Sequence, residues 1–342
     1  MGAVHGRRRI VRLVLAALAL GVIGTAWVAG YGIWAMGGSG EGTPVQIVVE
    51  EGESGATIAA QLAEKDVIRS AFVFRLIARV RGVGSDLKPG AYEMRTGLGI
   101  NGAIEQLLEG VPEETIRFTV PEGKTMIEIA DIVGRDTHVS EQEFLRAARS
   151  GDHRLPIMPR RVNDLEGLLF PKTYEVRLEA TAGDLVELML AQFEKEVARL
   201  NFAKAQRLGV TPYEAVIVAS LIEREAKVQR DRARIASVIY NRLARPMRLQ
   251  IDATVQYAIL LETGSYKLPL TQDDYTAVRS PYNTYQIDGL PPGPIASPGI
   301  ASLKAALNPA DTDFYFYRAR AGETAHCFSR DEAGHAACGR GG

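Results

Sequence analysis

Polar and apolar residues follow three regimes along this chain. From Leu13 to Gly40 no residue is charged, with Arg7, Arg8, Arg9 and Arg12 just before and the first acidic residue, Glu41, just after. As a helix, Leu13 to Met36 is long enough to cross a bilayer core of ~30 Å. Arginines on its amino side and none just beyond predict a single transmembrane helix over 13–36, with residues 1–12 cytoplasmic and the remainder outside the membrane. Trp27, Tyr31 and Trp34 gather toward its far end, where an aromatic belt sits. The competing reading is a cleaved signal peptide with Ala26-Trp27-Val28-Ala29 near the processing site, but the apolar run continues past that point.

The second regime begins after a glycine-rich linker over 37–44. Over 45–118, Val45–Val49 and Ala91–Arg95 read as strands and Thr57–Glu64, Ala71–Val80 and Asn101–Glu109 as helices, a small α+β module. An echo follows 71 residues later: Val49-Glu50-Glu51-Gly52-Glu53-Ser54 matches Val120-Pro121-Glu122-Gly123-Lys124-Thr125. Each copy predicts a strand, a Glu-Gly turn, a hydroxyl N-cap and a helix. Gly97-Leu98-Gly99-Ile100-Asn101-Gly102 fits a dinucleotide-loop pattern. Its helix is short and no run of βα units follows, so a glycine turn is the plainer reading.

The third regime, 119–330, is expected to form a larger mixed α+β domain, ending in a flexible glycine-rich tail over 331–342. Its strongest element is a helix from Pro212 to Lys227, opened by Thr211-Pro212-Tyr213-Glu214 with a hydroxyl N-cap, proline at the first position and glutamate at the third. It runs apolar for two turns and then becomes Glu223-Arg224-Glu225. Glu225 shares a stripe with Val218, Leu221 and Ile222, which desolvates it. Glu223 points about 160° away, so the two carboxylates cannot face one cleft. The same run also fits a solvated, salt-bridged surface.

A helix from Arg232 to Leu243 carries Asn241. Leu249 to Gln256 alternates strictly, so an extended strand would place Gln250, Asp252 and Thr254 on one surface. Alternatively Asp252 caps a helix over Ala253–Glu262. Tyr282-Asn283-Thr284-Tyr285 and Gly289-Leu290-Pro291-Pro292-Gly293-Pro294-Ile295 form a stiff loop, and its two tyrosines suit a carbohydrate groove as well as a plain connector. Phe314–Arg318 reads as a strand.

The chain has 342 residues, 46% hydrophobic, enough for two or more lobes. Net charge is −1, about −5 once the four leading arginines are set aside. That balance and the lack of a basic reading helix exclude nucleic acid as a partner. No cofactor is implied. Cys327 and Cys338 lie with His326 and His335 near the end, open to a disulfide, free thiols or a loose metal set.

Leu165-Glu166-Gly167-Leu168-Leu169-Phe170-Pro171, Ala219-Ser220-Leu221-Ile222-Glu223-Arg224-Glu225, Asn241-Arg242-Leu243, Gln250-x-Asp252-x-Thr254, Tyr282-Asn283-Thr284-Tyr285, the Gly289–Ile295 run and Asn308-Pro309 occur in the order seen in the YceG-like endolytic murein transglycosylases, which the chain resembles from Val45 to Phe328. The resemblance implies a membrane anchor, a LysM-like lobe and a catalytic domain that cuts the MurNAc-β-1,4-GlcNAc bond of peptidoglycan, leaving 1,6-anhydro ends. It maps the catalytic acid to Glu225. Glu223, Asn241, Gln250, Asp252, Thr254, Tyr282, Asn283 and Tyr285 are then expected to bind or orient sugar, and peptidoglycan synthases to be neighbours. Ile251 and Ala253 depart from the small polar residue and proline frequent in the family. A hydrolytic muramidase, with Asp252 as second carboxylate, and a non-catalytic glycan-binding scaffold are the rival readings.

Overall fold

Strand β1 (Pro44–Val49) is the first strand in the first of two compact units, 1–113 and 114–342, in a computed structural model that describes residues 18, 21–22, 24–27, 29–39, 41–112, 114–319 and 324–339. Gly52, at φ +79°, turns the chain after β1 into α1 (Gly55–Glu64), capped by the Ser54 side chain. After α2 (Ala71–Arg81), β2 (Gly90–Arg95) returns antiparallel to β1, with Ile47 opposite Tyr92. Gly97 and Gly99, both at positive φ, then turn into α3 (Gly99–Glu109). This two-stranded antiparallel sheet offers no parallel βαβ crevice for a dinucleotide. Ile47, Ile58, Leu62, Phe74, Met94 and Ile104 make the core of the unit.

Residues 29–36 are helical, yet among the described residues no helix is long and apolar enough to cross a membrane. The span predicted over 13–36 lies in part outside the described residues.

Strand β3 (Thr115–Thr119) starts the larger unit and pairs antiparallel with β4 (Thr173–Arg177), so the division falls five residues before the 118/119 boundary expected from sequence. The echo holds in detail: Gly123 at φ +76° leads to α4 (Met126–Asp136) through Thr125 and Glu128, which form a reciprocal capping box. There follow α5 (Glu141–Arg149), α6 (Ala182–Val197), α7 (Ala203–Arg207), α8 (Pro212–Glu225) and a 3₁₀ turn (Gln229–Asp231). Then come α9 (Arg232–Leu243), α10 (Asp252–Thr263), α11 (Gln272–Ala277), α12 (Ile300–Leu307), β5 (Phe316–Ala319), β6 (His326–Ser329) and α13 (Glu332–Cys338).

Helix α8 stops at Glu225, two residues short of the expected Lys227, where Ala226 turns extended. Residues 252–256 are helical rather than extended, and Asp252 sits in the first turn without capping it. The end of the chain departs from the expected flexible tail. Asp331 caps α13 by accepting from Gly334 N at 2.7 Å, and a Cys327–Cys338 disulfide ties the helix to β6, settling the choice left open for that pair.

α8 is the centre of the unit: Tyr213 and every residue from Ala215 to Ile222 are buried, covered by α7, α9, α10 and α12. Its buried Ser220 donates to Ile217 O at 2.7 Å and accepts from Ile295 N at 3.1 Å, tying the proline-rich loop to the helix. Behind that loop lies Gly167, at φ +77°, where an added Cβ would stand 2.3 Å from Pro294 Cβ. A Gly167→Ala variant is therefore expected to lose about 3 kcal/mol from left-handed backbone and overpacking together, read as a lower midpoint in urea unfolding.

Candidate active site

The charged end of α8 opens into a cleft of ≈ 910 Å³, which takes its walls from the start of α10, the loop before it, the Tyr282–Tyr285 loop, β5, β6 and α13. Glu225 is partly exposed at its floor. Its carboxylate accepts from the Tyr317 hydroxyl and from the backbone N–H of Ala253 at the start of α10. Burial, then the negative charge of Asp252, push its pKa up to about 7, against Tyr317, Ala253 and Arg224, which favour the charged form. A carboxyl so placed is poised between acid and base at neutral pH.

Asp252 stands at the cleft wall and accepts from the Tyr285 hydroxyl at 2.6 Å, and Tyr275 bonds it as well. The Tyr275 and Tyr285 rings lie 4.3 Å apart and form an aromatic wall. Gln250 also lines the cleft, from a left-handed backbone at φ +50° that a non-glycine residue adopts at a cost. Pairing of its N–H with Thr284 O at 3.1 Å holds it there.

The structure thus gathers Glu225, Gln250, Asp252 and Tyr285 around one cleft and places the other predicted residues elsewhere. Glu223 leaves α8 on the opposite side. One oxygen pairs with Arg232 at 3.2 Å, and the other accepts from Gly299 N at 3.0 Å, at the N-terminus of α12. Asn241 donates to Thr312 O and Phe314 O, fixing the approach to β5. Thr254 is fully buried, sharing a hydrogen bond with Thr284 at 2.9 Å. Asn283 is fully buried and donates to Tyr275 O and Val278 O. Tyr282 packs edge-on against Tyr257 at 4.9 Å. These five hold the frame that the cleft residues stand on.

Four groups at the site were given no role in it from sequence. Tyr317 lies 92 residues beyond its partner Glu225, and only the aromatic run Phe314-Tyr315-Phe316-Tyr317 hints at it. Tyr275 shares Asp252 with Tyr285. Arg242 spends its guanidinium on three carbonyls, those of Tyr315, Arg248 and Leu249, which locks β5 to the loop before Gln250. Asp231 Oδ2 accepts from His326 N at 2.7 Å and meets its Nδ1 at 3.0 Å. The pair is almost fully buried, and the imidazole lies edge-on to Tyr317. Among the described residues no group of three or more His, Cys, Asp and Glu could hold a metal ion.

This helix-centred unit with a lone poised carboxyl in an open cleft defines a class, and comparison with known proteins agrees: the chain belongs to the YceG-like family, whose model matches residues 47–340. It is 33% identical over 294 residues to the endolytic murein transglycosylase of Bacillus subtilis (strain 168), covering 81% of this chain and 79% of that protein. It is 28% identical over 317 residues to the endolytic murein transglycosylase of Streptococcus pneumoniae (strain R6), spanning 85% of this chain and 57% of that longer protein. A yceG-like protein from Listeria monocytogenes, solved by crystallography, superposes with a TM-score of 0.58 at 28% identity, covering 87% of this chain and 99% of that one.

Because Asp252 raises the Glu225 pKa, Asp252→Asn should move it below about 7. Carboxyl-carbon NMR titration of labelled glutamate in the two proteins checks this, and an unchanged value would leave burial alone as the cause.

Proposed function

We propose that this protein is an endolytic murein transglycosylase, anchored by residues 13–36 with residues 1–12 in the cytoplasm and the chain from residue 37 onward outside, that cuts the MurNAc-β-1,4-GlcNAc bond within peptidoglycan strands. The observation that carries the reading is Glu225 at the floor of a glycan-sized cleft with a pKa of about 7. The names of its bacterial relatives point the same way.

One carboxyl is sufficient for this reaction. Protonated Glu225 donates its proton to the glycosidic oxygen as the bond from C1 breaks. The resulting carboxylate then accepts the proton of the C6 hydroxyl of the same MurNAc, whose oxygen closes on C1 to form the 1,6-anhydro ring. The proton count closes with Glu225 restored and no water consumed, so a second carboxylate at fixed separation is not required. Asp252 keeps Glu225 protonated before cleavage, and its charge faces the positive character that develops at C1. Tyr317 steadies the carboxylate between the two steps. The Tyr275–Tyr285 wall offers a face for a sugar ring, and Gln250 an amide for its hydroxyls or acetamido group. Glu223, Asn241, Thr254, Tyr282 and Asn283 serve binding at one remove, by holding the walls. The smaller unit is read as a LysM-like lobe, and synthases that extend glycan strands as neighbours whose products this enzyme would shorten.

Incubating the detergent-solubilised full chain with uncrosslinked glycan strands and weighing the released ends by mass spectrometry tests the proposal. Anhydro ends are expected, with a loss of about 10²- to 10⁴-fold on Glu225→Gln. Reducing ends would mean a hydrolase, and no release from either protein a scaffold. The acid form does the first step, so the rate should fall as pH rises through about 7. Tyr317→Phe removes a hydrogen bond that favours the charged form and should move that falling limb to higher pH in a pH–rate profile, whereas a shift to lower pH would contradict the assignment.

A further inference from the structure

Ten of the fifteen large hydrophobic residues exposed among the described ones sit in two places, the helix within residues 18–36 and the outer face of α2. On α2 they are Phe72 (65% exposed), Leu76 (50%) and Val80 (79%), four residues apart, so they form one stripe along the helix. The other face of α2 is already committed to the core of the smaller unit through Val73, Phe74 and Ala78. A helix apolar on both faces has a second surface to cover.

The neighbours of that stripe say what covers it. Arg75 and Arg79 line it, and α2 contains no acidic residue. The N-terminal end of α2 is also clasped to the apolar helix. Arg69 donates to Trp34 O at 2.7 Å and stands over the Trp34 ring at 5.0 Å, and the Tyr31 hydroxyl reaches the N-cap Ser70 at 3.4 Å. The stripe therefore starts beside the aromatic end of the helix predicted to enter the bilayer. An apolar row edged with arginines suits the boundary between acyl chains and anionic head groups.

We propose that α2 is a membrane-interface helix: Phe72, Leu76 and Val80 sink into the lipid boundary while Arg75 and Arg79 meet anionic head groups, holding the smaller unit against the membrane beside its anchor. This rests on the reading of residues 13–36 as a membrane span.

The two cysteines are joined, so one introduced cysteine is the chain's single free thiol. The full chain, labelled with a polarity-sensitive fluorophore at Leu76→Cys, Val22→Cys or Glu51→Cys, is reconstituted in phosphatidylglycerol–phosphatidylcholine vesicles carrying spin-labelled lipid. Lipid should quench the Val22 label strongly, the Leu76 label at least half as much and the Glu51 label little. Quenching at Val22 with a Leu76 label that behaves like Glu51 overturns the proposal and leaves the anchor standing. Absence of quenching at both removes the membrane reading and the proposal with it. A Leu76 label shielded from water but not quenched by lipid means a protein or glycan covers the stripe, and also overturns it. Joint Arg75→Glu and Arg79→Glu substitution should cut Leu76 quenching at least twofold without changing Val22, and unchanged Leu76 quenching would refute the head-group contact.

Discussion

Everything in the larger unit answers to one demand, that a helix apolar on every side must be covered on every side. α8 exposes no face along two turns, so α7, α9, α10 and α12 surround it and the proline-rich loop is bonded to it through Ser220. Apart from the capping Glu214 and the buried Ser220, its polar side chains gather in the last turn, and they mark where the cover ends. The cleft lies at that boundary. A carboxyl at such a place has dry protein behind it and solvent in front, which raises its pKa without sealing it from a substrate.

The two glutamates near that end show how about half a turn of helix separates a carboxyl that fastens the frame from one that faces the cleft. Glu223 is consumed by Arg232 and by the N-terminus of α12, and so helps fasten the cover to the core. Glu225, about 160° round the axis, keeps only a tyrosine hydroxyl and one backbone N–H. Its environment is a balance of opposed influences, with burial and Asp252 on one side and hydrogen bonds and Arg224 on the other. Asp252 is in turn held by two tyrosines, one of them on a loop that Asn283 and Thr284 pin from within. Polar side chains that never reach the cleft thus decide where its walls stand.

Local signals were legible in the sequence where a short stretch decides the outcome alone. Thr211-Pro212-x-Glu214 announced α8, and the paired Glu-Gly turns announced both strand–turn–helix units. The separation of Glu223 from Glu225 needed only helical periodicity. Residues 249–256 were ambiguous because a strict alternation of eight residues also fits a loop followed by a helix, and the contacts with Thr284 that select the helix lie some thirty positions away. Partners remote in sequence stayed hidden for the same reason: Tyr317 for Glu225, His326 for Asp231, and Tyr257 for the buried Glu166 carboxylate. Helix α13 was read as flexible tail, the terminal helix of the family looking truncated or absent, because seven residues with an internal glycine carry little periodicity.

That disulfide has a consequence for when the cleft is finished. β6 and α13 supply one wall, and the bond joining them lies behind it. Packing and hydrogen bonds build the other walls, and they can form as soon as the chain folds. This one is completed by a redox reaction, which cytosolic thiol chemistry opposes and an oxidising compartment allows. The complete lining of the cleft therefore needs a step beyond folding, and the redox state around the chain becomes part of its assembly.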